Sequence, residues 1–273
     1  MNPSDTSVPL LGPADDSTVH VMTFNLRYPA DDPGHEWEVR RPATAALLCR
    51  EQPTVLGTQE GHHRQILDIA ADLPGHYAWL GLGREGGARG EFAAVFYDSR
   101  RLRVLDFDHL WLSDSPRLIG STGWGATLPR MATWVRFGDR AGGEFVVLNT
   151  HLDHASAQAR TRAAELLATT LGEFTGPIVV TGDFNAEPGS DPHTVMLRTA
   201  GLRDVWDSAA EHLSPAYGSF TGYEEPAVGG QRIDWILVTP EVKVEAAAVN
   251  PFTLGGTYAS DHLPVQARLR LPR

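Results

Sequence analysis

The stretch Pro-Ile-Val-Val-Thr-Gly-Asp-Phe-Asn-Ala-Glu-Pro, residues 177–188, is the most informative about the fold. It opens with an apolar, mostly β-branched run, which is typical of a buried strand. Gly182 lets the chain bend, so that Asp183 and Asn185 emerge at the carboxyl end of that strand. A carboxylate and an amide at the rim of a sheet can polarise a water molecule and hold a phosphoryl or carbonyl oxygen. The same residue types also form ordinary turns, so this stretch alone leaves both interpretations open.

Polar side chains recur at the ends of other apolar runs. They are Asn25, Glu60, His151, Asp234 and the pair Asp261 and His262. A single residue of this kind is most often structural, as a turn cap or a paired buried acid. Repetition at several strand ends favours function, because functional groups gather on loops at one edge of a rigid sheet.

The predicted strands greatly outnumber the predicted helices. Periodicity predicts helices over residues 37–51, 62–73 and 155–174 and around 192–199, with strands between them. No Pro/Gly/Ser linker, internal repeat or low-complexity tract divides the series. We therefore predict an α/β fold of two packed sheets flanked by helices. The predicted organisation is a disordered N-terminal tail over 1–18 and a single domain over 19–273.

The composition restricts the compartment and the partners. The 273 residues carry a formal net charge of −11, and no Lys/Arg run forms a basic groove, which disfavours duplex DNA as a substrate. Cys49 is the single cysteine, so an intramolecular disulfide is excluded. The sequence shows no signal peptide and no segment of membrane-spanning length. We expect a cytoplasmic protein without a membrane partner or an evident obligate protein partner.

Convergence of the strand ends would place four carboxylates in one cleft. They belong to Glu60, Asp183, Asp234 and Asp261. Like charges in such proximity are costly, and a bound divalent cation is one remedy. An all-oxygen ligand set suits Mg²⁺ or Mn²⁺ rather than zinc. Two histidines among the carboxylates can supply protons or bind a phosphoryl oxygen, so the implied chemistry is metal-assisted attack of water on a phosphate ester.

At these positions the chain resembles the endonuclease/exonuclease/phosphatase superfamily. The resembling motifs occur in the family's order and cover nearly the whole chain from residue 20. They are Thr-Phe-Asn-Leu-Arg at 23–27, Thr-Gln-Glu at 58–60, Asn-Thr-His-Leu-Asp at 149–153, Gly-Asp-Phe-Asn at 182–185, Arg-Ile-Asp-Trp-Ile at 232–236 and Ser-Asp-His-Leu-Pro-Val at 260–265. The resemblance implies a four-layer α/β/β/α sandwich, with two packed mixed sheets flanked by helices and the site at the top of the sheets.

The resemblance also implies where a metal ion and the attacking water would bind. Glu60 is similar to the family's principal metal ligand, with Asn25 and Asp261 beside it. Asp183 resembles the residue that orients or deprotonates the attacking water. The implied cofactor is Mg²⁺ or Mn²⁺.

Four further positions match the residues that handle the phosphate. Asn185 and His151 resemble the groups that hold the phosphoryl oxygens. His262, supported by Asp234, resembles the group that stabilises charge on the phosphate in the transition state. Asp261 and His262 are adjacent and must point apart, so one can face the metal and the other the phosphate.

Residues 123–130 and 149–154 are similar to a bacterial branch on the deadenylase/nocturnin side of the superfamily rather than to abasic-site repair enzymes. Arg130 is a candidate for a second phosphate contact, because a guanidinium binds phosphate oxygens in a bidentate manner. The alternative is a surface arginine after a proline turn. Further candidates for lining the substrate pocket are Tyr97, Trp124 and His154, although aromatic residues more often belong to the core.

Two other motifs suggest different functions. Residues 81–86 spell the dinucleotide-binding Gly-x-Gly-x-x-Gly, but the glycines that follow cannot easily start a packed helix, so we interpret 83–91 as a flexible loop or lid. Residues 149–154 lack one histidine of the zinc signature of metallo-β-lactamase-type hydrolases.

The sequence therefore predicts a divalent-metal-dependent phosphoesterase that hydrolyses a phosphate mono- or diester by direct attack of water. The acidic composition favours a phosphorylated small molecule or a short single-stranded nucleic acid as the substrate. The alternative is an endo- or exonuclease acting on DNA or RNA. More distant alternatives are a zinc hydrolase of metallo-β-lactamase type and a non-catalytic binder of a phosphorylated ligand.

Overall fold

Two large mixed β-sheets pack against each other in the computed structural model, which describes residues 8–272. In chain order the strands are β1 Val19–Asn25, β2 Val55–Gln59, β3 Tyr77–Leu80, β4 Val95–Asp98, β5 Leu102–Trp111, β6 Met131–Asp139, β7 Glu144–His151, β8 Ile178–Asp183, β9 Arg203–Asp204, β10 Glu211–His212, β11 Asp234–Val238, β12 Lys243–Val249, β13 Thr253–Leu254, β14 Thr257–Tyr258 and β15 Val265–Arg270. The helices are α1 Trp37–Glu51, α2 His63–Asp72, α3 Ala157–Leu171, α4 Asp191–Arg198 and α5 Val205–Ser208.

The seven-stranded sheet has the order β10-β12-β15-β1-β2-β4-β3, and the six-stranded sheet has the order β5-β6-β7-β8-β11-β9. Val, Ile, Leu and Phe side chains from the inner faces of both sheets form the central core. Helices α1 and α2 cover the outer face of the first sheet, and α3 and α4 cover that of the second. The predicted α/β/β/α sandwich is therefore confirmed. Among residues 8–272, no helix is long and apolar enough to cross a lipid bilayer.

The register of the central strands brings the polar strand ends to one edge. In the first sheet, parallel β1 and β2 pair Asn25 with Gln59. In the second sheet, parallel β7 and β8 pair His151 with Asp183, and antiparallel β11 pairs Asp234 with the same Asp183. Carboxyl ends of parallel strands lie at the same edge of a sheet, so both sheets present their polar ends on the same side of the sandwich.

A buried amide joins the two sheets directly beneath this edge. Asn149 of the second sheet accepts a hydrogen bond from Gln59 Nε2 of the first at 2.7 Å and donates to the Thr58 carbonyl at 2.8 Å. Thr181 donates to the same Asn149 oxygen at 3.1 Å. A Cβ atom on Gly57 would lie 2.2 Å from Thr181 Oγ1 and 2.6 Å from Asn149 Oδ1, so glycine is needed for this close approach.

Residues 10–12, within the segment 1–18 for which a disordered tail is predicted, are hydrogen-bonded to the domain. Residues 1–7 lie outside the described residues. The backbone N–H groups of Leu10, Leu11 and Gly12 donate to the carboxylate of Glu51 at 2.8, 3.0 and 3.1 Å. Glu51 is fully buried at the end of α1 and requires donors there. Its carboxylate therefore orders a segment whose composition alone resembles a tail.

His20 lies beside this anchored segment and is fully buried in β1. Its Nδ1 donates to the Gly12 carbonyl at 2.8 Å, so this nitrogen carries the proton. Its Nε2 has no hydrogen-bond partner among the described residues. Burial lowers the pKa of His20 from 6.5 to about 4, although the negative charge of Glu51 opposes the change.

Because His20 is buried in its neutral form, we expect the free energy of unfolding to fall in mild acid. The unfolded chain takes up the proton near pH 6.5 and the folded chain only near pH 4, so protonation favours unfolding between these values. Lowering the pH from about 8 to about 5 should cost about 2 kcal/mol of the free energy of unfolding through this residue. Urea unfolding at several pH values measures this cost.

The variant His20→Asn should remove most of that cost, because asparagine does not titrate in this range. His212→Asn, at an exposed position, serves as the matched control and should keep the wild-type slope. An unchanged pH dependence in His20→Asn would show that His20 is not the group responsible.

Candidate active site

A cleft of about 1100 Å³ opens at the edge where the polar strand ends meet. It is larger than a phosphate group needs and matches the size of sites for small molecules. The predicted residues that line it are Glu60, Arg130, His151, His154, Asp183, Asn185, Asp261 and His262. Asn25 and Asp234 lie just behind this lining, in hydrogen-bond contact with it.

Asp183 is the centre of the hydrogen-bond network in the cleft. Its Oδ2 accepts a hydrogen bond from Asn25 Nδ2 at 2.8 Å, and its Oδ1 accepts one from the Asn185 backbone N–H at 2.8 Å. Burial and the neighbouring charge of Asp234 raise the pKa of Asp183 to about 7. Its carboxyl group can therefore change protonation near neutral pH, which suits a general base.

Two histidines lie close to the carboxylate of Asp183. His151 Nε2 lies 3.5 Å and His262 Nε2 lies 3.9 Å from Asp183 Oδ2. The side-chain amide of Asn185 lies 3.1 Å from His151 Nε2. The predicted water-handling and phosphate-handling groups thus share a single small volume.

His262 is held by a buried carboxylate. Its Nδ1 donates to Asp234 Oδ2 at 2.8 Å. Burial alone would lower the pKa of His262, but the charge and hydrogen bond of Asp234, together with Asp183 and Asp261, raise it to about 10. The imidazole therefore carries a positive charge at neutral pH and presents Nε2–H toward the cleft.

Glu60 lies at the mouth of the cleft in the left-handed backbone region, with φ of 62°. Its Oε2 accepts from the Tyr28 backbone N–H at 3.0 Å, and its Oε1 accepts from Asn25 Nδ2 at 3.1 Å. Ligand atoms of Glu60, His151 and Asp183 all lie within 4.8 Å of one another. This carboxylate-rich donor set fits a hard divalent cation.

The orientation of Asn25 differs from the one expected of a metal ligand. Its Oδ1 accepts from the Arg27 backbone N–H at 2.9 Å, so its amide nitrogen is the group that faces Glu60 and Asp183. The structure thus gives Asn25 a role in holding two carboxylates together. The left-handed backbone of Arg27, with φ of 54°, presents that N–H to Asn25.

Two of the predicted pocket residues lie outside this cleft. Tyr97 packs against Phe137 with ring centroids 5.1 Å apart, in the core between the sheets. It pairs with Val55, at the opposite end of β2 from the cleft. Trp124 lines a separate cavity of about 320 Å³ and donates from Nε1 to Asp114 at 2.9 Å. The aromatic residue type alone cannot show on which side of a sheet a ring lies.

Residues 83–91 form a wall of the cleft rather than the flexible loop expected from their glycines. Backbone hydrogen bonds join Gly83 to Gly87 at 2.8 Å and Arg84 to Glu91 at 2.9 Å. Trp111 Nε1 also donates to the Arg84 carbonyl at 2.6 Å. The glycines permit a tight hairpin here, and several of its backbone N–H groups donate hydrogen bonds within it.

The sequence reasoning missed Arg27, Arg84 and Glu91, which line the cleft. A usable signal existed for Glu91, which precedes an apolar run. Because β4 runs antiparallel to β2, the start of β4 lies beside the end of β2. A polar residue at the start of an antiparallel strand can therefore lie at the same sheet edge as a polar residue at the end of the neighbouring strand.

The zinc signature suggested by residues 149–154 has no counterpart in the structure. Asn149, which replaces its first histidine, is buried between the sheets and bonded to Gln59. Asp153 accepts hydrogen bonds from the backbone N–H groups of Ala155 and Ser156 at 3.0 and 2.7 Å and so caps the turn before α3.

Solved structures with this architecture include bacterial and human proteins. An endonuclease/exonuclease/phosphatase from Bacteroides vulgatus is 33% identical, with a TM-score of 0.88 over 93% of this chain and 99% of that chain. A mannosyl-6-phosphatase from Bacteroides thetaiotaomicron is 28% identical, with a TM-score of 0.85 over 92% of this chain and 99% of that chain. The human nocturnin catalytic domain, at 19% identity and a TM-score of 0.75 over 94% of this chain and 95% of that chain, shares the fold.

A curated relative, Protein angel of Drosophila melanogaster, is 24% identical over 213 residues, which are 74% of this chain. The chain spans only 57% of the length of that relative. The expected similarity to bacterial members and to nocturnin is confirmed. The model of the endonuclease/exonuclease/phosphatase family matches residues 22–262, which contain every group at the centre of the cleft, and this chain therefore belongs to that family.

Proposed function

We propose that this protein is a divalent-metal-dependent phosphoesterase that hydrolyses a phosphate ester by direct attack of water. The observation that supports it best is the pairing of Asp183 with His262 across 3.9 Å. Their surroundings favour opposite roles: a carboxylate able to accept a proton near pH 7 and an imidazolium that keeps its proton. A group that can accept a proton near neutral pH beside a group that keeps its proton is typical of acid–base catalysis.

Asp183 would accept the proton of the attacking water. The hydrogen bonds from Asn25 and the Asn185 backbone hold its carboxylate in one orientation. His262, fixed by Asp234, would donate Nε2–H to a phosphoryl oxygen as negative charge grows there. His151 and the side chain of Asn185 would hold the remaining phosphoryl oxygens. This mechanism forms no covalent enzyme intermediate.

Glu60 and Asp261 are the residues that would hold Mg²⁺ or Mn²⁺, since both carboxylates line the cleft and match the positions that the family resemblance assigns to the metal. A divalent ion there would supply Lewis-acid stabilisation of the phosphate charge. Arg27 Nε lies 3.6 Å from Asp261 Oδ2, so one positive charge already balances part of this negative charge. Asn25 would act by orienting Glu60 rather than by direct ligation.

A phosphorylated small molecule is the favoured substrate. The net charge of −11 opposes the approach of a long polyanion. The cleft of about 1100 Å³ accommodates a group much larger than phosphate itself. The similar Bacteroides thetaiotaomicron protein is a mannosyl-6-phosphatase, which supports a sugar phosphate as the first substrate to test.

If Asp183 is the general base, its replacement by the isosteric asparagine should slow catalysis. Asp183→Asn should lower kcat on an active phosphomonoester by at least about 100-fold, because the amide cannot accept the water's proton. The assay measures phosphate release from a panel of hexose phosphates, nucleotides and short oligonucleotides with Mg²⁺ or Mn²⁺. Asp191→Asn, an exposed position in α4, is the control and should retain full activity.

Equal inertness of wild type and Asp183→Asn across that panel would contradict the enzymatic function. Efficient Mg²⁺-dependent nicking of plasmid DNA, with no release of phosphate from small esters, would instead support the nuclease alternative.

Metal binding is measurable without turnover. At an Mg²⁺ or Mn²⁺ concentration of about 100 times Kd, the wild type should gain about 3 kcal/mol of stability, which is on the order of 5 °C in Tm. Glu60→Gln should remove most of this gain, whereas Glu187→Gln, at another cleft carboxylate, should keep it. A gain with Zn²⁺ alone would argue against the assigned ion, and an equal gain in Glu60→Gln would argue against the assigned ligand.

The Asp234–His262 pair predicts a change in titration. In the metal-free wild type, His262 should remain protonated from pH 6 to pH 8, since its pKa is about 10. Asp234→Asn should lower this pKa by more than about 2 units, because the charge that stabilises the imidazolium is lost. The histidine Cε1–H resonances in NMR spectra report the titration, with Asp191→Asn as the control. An unchanged titration would remove Asp234 from its proposed role.

A further inference from the structure

Arg130 is buried in the wall of the cleft, with 6% of its surface exposed. Its Nη1 lies 2.9 Å from His151 Nδ1 and 3.1 Å from His151 Nε2. Its Nη2 lies 2.9 Å from His154 Nδ1. The guanidinium therefore uses its two terminal nitrogens on two imidazole rings, and it is not the surface arginine considered as an alternative.

A guanidinium only donates hydrogen bonds, so a ring nitrogen that accepts from it must offer a lone pair. A neutral imidazole has one such nitrogen, so a ring that accepts through a single nitrogen is restricted to one tautomer. For His154 the proton is on Nε2, since Nδ1 accepts from Arg130. For His151, Arg130 Nη1 lies near both ring nitrogens and Asn185 Nδ2 lies 3.1 Å from Nε2, so these contacts hold the ring in place without selecting its tautomer.

Arg130 is itself supported by a chain of charged groups in the wall of the cleft. Glu91 Oε2 lies 3.7 Å from Arg130 Nη1 and 2.7 Å from Arg84 Nη1. Asp153 Oδ2 lies 3.8 Å from Arg130 Nε on the other side. Two guanidinium groups thus face two carboxylates, and the cluster carries no excess positive charge for a second phosphate of the substrate.

We propose that Arg130 is a positioning residue that acts through His151 and His154 and does not contact the phosphate. This inference rests on the proposed phosphoesterase function. It assigns Arg130 a role different from the second phosphate contact that its residue type suggests. Loss of Arg130 would leave the substrate's own contacts in place and disturb the orientation of two rings.

Steady-state kinetics separate positioning from binding. With a phosphomonoester that the wild type hydrolyses, Arg130→Met should lower kcat by about 100-fold and change KM by less than about twofold. Arg117→Met is the matched control, because that arginine side chain is 71% exposed, and it should change neither constant.

A double variant tests whether Arg130 works through His151. If it does, the loss of kcat in Arg130→Met combined with His151→Asn should be clearly smaller than the product of the two single losses. Multiplied effects, or a raised KM with kcat retained, would overturn the inference and identify a direct contact with substrate.

Chemical rescue distinguishes positioning from misfolding. Guanidinium ion added to Arg130→Ala should restore kcat by at least about tenfold, whereas a misfolded variant cannot be restored by it. Failure of rescue in a variant with the wild-type circular dichroism spectrum would count against the proposed positioning role.

Nitrogen-15 NMR of the histidine rings tests the geometry without turnover. In the metal-free wild type, His154 should show one neutral tautomer with the proton on Nε2, and Arg130→Met should show averaged tautomers of His154. Fixed tautomers in an inert wild type would refute the proposed function but support the positioning. Averaged tautomers in an active wild type would refute the positioning and leave the function standing.

Discussion

The buried amide of Asn149 is the contact on which the cleft depends most. It bonds to Gln59 and Thr58 of one sheet and Thr181 of the other, so it fixes how far one sheet can slide over its neighbour. A buried polar group is costly when it loses its partners, and any other offset between the sheets would leave this amide unsatisfied. The contact across the sheets between Asn25 and Asp183 exists only at that offset.

That offset also gives chemically similar groups different roles. Asp183 and Asp234 are both buried aspartates, but Asp234 is neutralised by a hydrogen bond with the charged His262. Among the described residues, no positively charged side chain lies within hydrogen-bond distance of Asp183, and its pKa is raised to about 7. Burial and neighbouring charges thus separate a proton acceptor from a supporting acid.

Local pattern predicted helices α1 to α4 and the polar carboxyl ends of β1, β7 and β8, whereas the four-layer order came from the family resemblance. A period of two or 3.6 residues and the end of an apolar run can be read without knowing the fold. The failures concern contacts across strands. Tyr97 lies at the far end of its strand from the cleft, and the glycines of 83–91 form a bonded hairpin instead of a lid.

The sequence by itself determined which strands end in a carboxylate, an amide or an imidazole, and hence the family and the class of chemistry. Only the tertiary structure decided the surroundings of each group: the orientation of the Asn25 amide, the burial of Arg130 against two histidines and the support of Glu91 by Arg84. The physical reason is that pKa values and hydrogen-bond roles depend on neighbours within a few ångströms. Those neighbours come from segments far apart in the chain, which local patterns do not record.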